Sequence, residues 1–115
     1  MDAIELAQRD LCKRYGADYR RTFPFQKLGI SNDVLFGCLP INGLRHLPTG
    51  DTCGWYIWSG EEMGLSDDYF EPMHLFHMVD ALPNLLKFLG LAPGWRFLLA
   101  NEHEDVWYDE SLLMK

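Results

Sequence analysis

The residues of this sequence that could do chemistry are few, and their spacing rarely suits it. His74 and His77 stand three apart in "HLFH". On a helix that spacing turns both imidazoles the same way. With His103 or Glu104 they would supply a zinc-like donor set. A glutamate base between the pair, as in H-E-x-x-H, is missing, and surface or packing roles suit the histidines better. Cys53 would be a nucleophile only if a histidine and a carboxylate met it in space. It precedes an apolar, strand-like run, and neither a G-x-S-x-G elbow nor a cysteine-enzyme signature surrounds it. Two adjacent carboxylate pairs, Glu61 with Glu62 and Asp67 with Asp68, would divide acid and base roles only if burial set their pKa values apart. They lie in loop-like sequence, where carboxylates are usually solvated. No glycine-rich phosphate cradle follows a strand. These residues point to a protein without catalytic residues, metal or cofactor, one that works by binding.

The elements that must position them begin with a predicted helix over residues 3–15. It places Ile4, Ala7, Leu11 and Tyr15 on one face. Asp2 is set to cap the first turn, Glu5 stands in capping-box position, and Gly16 suits the left-handed C-terminal cap. Residues 17–25 read as irregular. "DVLFGC" alternates Val34, Phe36 and Cys38 and predicts a short strand. "LPINGLRHLPTGD", with two prolines and two glycines, predicts a loop. "WYIWS" predicts a buried strand with Trp55 and Ile57 on one face and Tyr56 and Trp58 on the other. "SGEEMGLSDDYFEP" returns to loop.

Residues 73–89 carry a helical stripe of Leu75, Val79, Leu82 and Leu86. Pro83 lacks an N–H and crowds the preceding turn, which predicts a break near residues 80–82 and two short helices. "GWRFLLA" and "EDVWYD" are too close in sequence for anything but an antiparallel pair, with Trp95 and Trp107 in the core. The order predicts one α+β domain over residues 1–115. Its antiparallel sheet carries an N-terminal helix and a broken central helix packed on it.

A chain of 115 residues with 48% hydrophobic content has enough apolar material for one core. No apolar run reaches membrane-spanning length, and the acidic start lacks the basic and apolar regions of a signal peptide. Three cysteines, odd in number and widely spaced, read as reduced and mostly buried thiols. A cytoplasmic protein is expected. The formal net charge is −7, split as +2 over residues 1–50 and −9 over residues 51–115. That acidic half repels nucleic acid and suits a basic protein partner.

Aromatic and acidic residues concentrate in "DTCGWYIWSGEEMGLSDDYFEP", residues 51–72, which holds no Lys or Arg. The stretch reads as a core strand delivering an acidic loop, with Gly60 allowing the sharp exit. If helices cover only one face of the sheet, either Trp55 or Trp58 is exposed. An exposed indole beside carboxylates has the composition of a recognition site with an acidic rim. The candidate partner-binding residues are therefore Trp55, Trp58, Glu61, Glu62, Asp67, Asp68 and Glu71. The alternative is a covered strand followed by a merely soluble loop.

The succession "GISNDVLFG", "DTCGWYIWSGEE" and "LPNLLKFLGLAPGWRFLLANEHEDVWYD" resembles the bacterial immunity protein thirty-three-like family, linked to polymorphic toxin systems. The likeness runs over roughly residues 28–113. Its central motif is matched by Asp51, Gly54, Trp55, Ser59, Gly60 and Glu62, with Cys53 lengthening the approach to Gly-Trp. The resemblance brings no catalytic residues. It implies a small cytoplasmic protein that binds and neutralises a cognate toxin. A small intracellular adaptor or regulatory binding module is the other reading.

Overall fold

In the computed structural model, residues 2–60, 63, 64 and 69–114 are described. The first helix, α1 (Ala3–Tyr15), forms as its sequence directs. The Asp2 carboxylate accepts from the Glu5 N–H at 2.8 Å, and Gly16 closes the helix in the left-handed conformation. Its buried side is Gln8, Leu11 and Cys12. The Gln8 amide donates to the Leu86 carbonyl at 2.9 Å and fastens α1 to a later 3₁₀ helix.

Six strands among the described residues form one mixed sheet. They are β1 (Lys27–Ile30), β2 (Ile41–Arg45), β3 (Thr52–Ser59), β4 (Glu71–His74), β5 (Trp95–Leu99) and β6 (Glu104–Tyr108). The order is β4-β1-β3-β2-β5-β6. Every neighbouring pair is antiparallel except β1 with β3, which run parallel. A short helix α2 (Asn32–Leu35) lies between β1 and β2, and α3 (Leu75–Ala81) follows β4 directly. The break at Pro83 is present: α3 ends at Ala81, and Pro83–Phe88 continues as a 3₁₀ helix.

One face of the sheet carries the main core, where Trp55, Ile57 and Phe97 meet Leu11, Met78, Leu85 and Phe88. The Phe88 and Phe97 rings stack with centroids 4.2 Å apart. A smaller cluster on the other face gathers Leu44, Trp58 and Leu112 under Tyr56, Tyr69 and Phe70. Both faces of β3 are thus covered, in the alternation its sequence predicts.

The α+β architecture is as the sequence predicts, and the structure departs from the sequence reading in five places. "INGLR", expected as loop, is the fully buried strand β2, next to β3 in the middle of the sheet. Gly43 makes room there for Phe97, since a Cβ would overlap that ring. "DVLFGC", expected as strand, instead supplies the one-turn helix α2 and the turn after it. The expected helix from residue 73 starts at Leu75, because Glu71–His74 pairs with β1. The sheet is mixed rather than wholly antiparallel. Trp95 and Trp107 are half-buried, and Trp95 packs against the main core.

Candidate functional site

The residues singled out from the sequence do not assemble into one site among those described. Trp55 is 0% and Trp58 3% exposed, on opposite faces of β3. The expectation that one of them meets a partner is corrected: α1, α3 and the 3₁₀ helix cover Trp55, and Tyr69 and Phe70 cover Trp58. The Trp55 Nε1 donates to the Leu89 carbonyl at 3.1 Å. The Trp58 Nε1 has no hydrogen-bond partner among the described residues. Glu61, Glu62, Asp67 and Asp68 lie outside the described residues. Glu71 is exposed on β4.

The chemistry-bearing side chains are similarly dispersed. His74 precedes α3 rather than riding on it, with its ring 6.1 Å from that of His77. Cys53 is fully buried, and burial pushes its thiol pKa up, away from the reactive thiolate. Among the described residues no group of three or more His, Cys, Asp or Glu is placed to hold a metal ion.

Two polar hubs escaped the sequence reading. Arg45, 1% exposed at the end of β2, donates from Nε to the Cys53 carbonyl at 2.9 Å. Its Nη1 donates to the carbonyls of Arg20 at 2.9 Å and Leu91 at 2.8 Å. Burial lowers its pKa to about 10, so it remains a cation at neutral pH. Beside it, Gly54 has φ of +97°, and a Cβ there would overlap the His46 carbonyl oxygen. The glycine of the Gly-Trp motif is therefore a backbone requirement of the β2–β3 pair. Glu104 is the second hub. It accepts from Lys87 Nζ at 2.7 Å, the Tyr15 hydroxyl at 2.8 Å and Arg14 Nη1 at 3.5 Å. Burial pushes its carboxyl pKa up, but these donors outweigh that and hold it below the usual value. Single charges in mixed sequence carry no periodic signal, so neither hub could be read beforehand.

What remains for binding is surface. Both sheet edges are blunted against strand addition. The Leu75 N–H bonds to the Gln26 carbonyl, so alternation turns position 72 outward, where proline offers no donor. On β6 the bonds Asp109 N–H to Gly94 O and Ala100 N–H to His103 O turn the Val106 N–H outward. The Asp105 carboxylate takes that N–H at 2.9 Å.

An apolar groove of about 830 Å³ opens between α1, α3, the 3₁₀ helix and the end of β5. Ile4, Ala7, Leu39, Val79, Leu86 and Leu99 line it. A smaller recess of about 180 Å³, sharing Ile4, Val79 and Leu86, continues it towards Phe23 and Phe76. Leu39, which also lines the groove, belongs to the turn after α2, where Phe36 is 83% exposed. Exposed apolar surface of this kind is the composition of an interaction face.

No curated protein and no solved structure matches the chain. The family model of the Imm33-like domain matches residues 7–109, from within α1 to the end of β6 and through every strand between, and on that match the chain belongs to the Imm33-like domain family.

Proposed function

We propose that this chain is an immunity protein that binds a cognate protein toxin in the bacterial cytoplasm and neutralises it by covering it, without chemistry of its own. The observation that carries this is membership of the Imm33-like family over residues 7–109. Two physical features support it. A net charge of −7 favours encounter with a basic partner. The exposed apolar surface around Leu39 and Phe36 supplies area whose burial would slow dissociation. A producing cell needs a tight and specific inhibitor, and charge for on-rate with apolar anchors for residence time meets that need.

Growth is the test. The reading frame adjacent to this gene, expressed alone, should arrest a susceptible host, and co-expression of this chain should restore growth. Arrest that persists at equal expression would contradict the proposal.

A further inference from the structure

Resting on that reading, we propose that the Leu35–Leu39 turn is the anchor by which the chain seats itself in its partner. Phe36 enters an apolar pocket on a toxin whose pocket rim is basic. Three observations carry this.

The first is exposure of apolar side chains out of proportion to their neighbours. Leu35, Phe36 and Leu39 are 44%, 83% and 42% exposed within five residues. A phenylalanine held this far into water gains nothing for folding, whereas desolvated aromatic anchors dominate binding energy.

The second is pre-organisation. The Asp33 carbonyl accepts from Phe36 N–H at 3.2 Å and Cys38 N–H at 3.3 Å, and the Val34 carbonyl accepts from Gly37 N–H at 3.0 Å. The base of the turn is fastened to the end of β3. Ser59 Oγ donates to the Cys38 carbonyl at 2.8 Å, and Gly60 N–H donates to the Pro40 carbonyl at 2.9 Å. The turn is thus shaped before any partner arrives, so little ordering entropy opposes binding.

The third is charge. Asp33 sits within the turn's own hydrogen-bond frame. Leu39 shares the groove with Val79 and Asn101, and these are followed by Asp80 and Glu102. All three carboxylates are exposed, and none makes a salt bridge among the described residues. Among the described residues the one cation lining that groove, Lys87, is held by Glu104. A net charge of −7 disfavours a second copy of this chain as the occupant and favours a basic one.

The probe is the toxin domain encoded beside this gene, purified in an inactivated form and titrated against four versions of the full chain. Phe36→Ser should weaken binding roughly 30-fold or more, the usual hot-spot loss, with the melting temperature unchanged. Leu39→Ser should weaken it less. Leu47→Ser alters an apolar residue about as exposed as Leu39, in the β2–β3 connection at the opposite end of β3, and should leave affinity alone. Equal affinity of Phe36→Ser and the unmutated chain overturns the inference while leaving the immunity reading intact. So does loss of binding with Leu47→Ser only, or a self-associated chain that Phe36→Ser makes monomeric without changing toxin affinity. No binding by the unmutated chain overturns both readings together.

Discussion

Arg45 shows how much of this fold hangs on one side chain. Its guanidinium reaches three carbonyls from three separate segments, at Arg20, Cys53 and Leu91. Among the described residues no carboxylate pairs with it, and its guanidinium carbon lies 5.9 Å from the Trp55 ring centroid. Carbonyl dipoles and an indole replace the water it has lost, and burial lowers its pKa only to about 10. Truncation would strand two buried acceptors and a part-buried one and leave a void. Arg45→Ala should therefore destabilise the chain by roughly 3–5 kcal/mol, as for other broken buried networks. Arg45→Lys, a point charge in place of a planar fork, should recover only part of that loss. Denaturant unfolding measures both. A loss below about 1 kcal/mol for Arg45→Ala would show that the carbonyls find other partners.

At the scale of elements, Glu104 on β6 joins α1, through Arg14 and Tyr15, to the 3₁₀ helix, through Lys87. Its native pKa is held below the ordinary value of 4.5. A depressed carboxyl contributes stability that is full above the unfolded pKa and fades as pH falls through the native one. The contribution should be intact at neutral pH and decline below about pH 4.5, with Glu104→Gln flattening that acid limb. In the mutant the neutral amide still packs, so stability near pH 7 should fall by roughly 1–3 kcal/mol, the range for hydrogen bonds to charged groups. Thermal unfolding across pH 3–7 reads both effects, and parallel acid limbs would exclude Glu104 as the titrating link.

The elements that the sequence revealed are those whose local signals agree with their surroundings. Asp2 and Gly16 mark both ends of α1, Pro83 breaks the central helix, and aromatic alternation betrays β3, β5 and β6. β2 was hidden because its polar members are satisfied only in three dimensions. Asn42 Nδ2 donates to the Gly60 carbonyl at 2.7 Å, Arg45 bonds its three carbonyls, and Gly43 yields space to Phe97. α2 was misread because Val34, Phe36 and Cys38 alternate by accident: Val34 is buried while Phe36 and Cys38 are exposed. The same misreading concealed the candidate site. A strand would have alternated Phe36 inward, whereas a one-turn helix followed by a left-handed glycine puts it outside.

At the scale of the whole molecule, the proposed function divides the work of binding between charge and shape. Trp55 and Trp58, of which one is expected at the surface if a single face is covered, are both buried in the clusters on opposite faces of the sheet, and the sheet edges are blunted against strand addition. Exposed apolar side chains instead gather along the helical side and in the Leu35–Leu39 turn, on a chain of net charge −7. On the proposed function a partner gripped this way would be occluded one for one, which would separate a binding inhibitor from an enzyme that modifies or cleaves toxin. The decisive measurement is a titration of the neighbour-encoded toxin's activity with this purified chain. With toxin held well above the dissociation constant, activity should fall linearly and reach its floor at one equivalent, with both proteins recovered chemically unchanged. Full activity at several equivalents, or complete inactivation by a small fraction of an equivalent, would contradict the account.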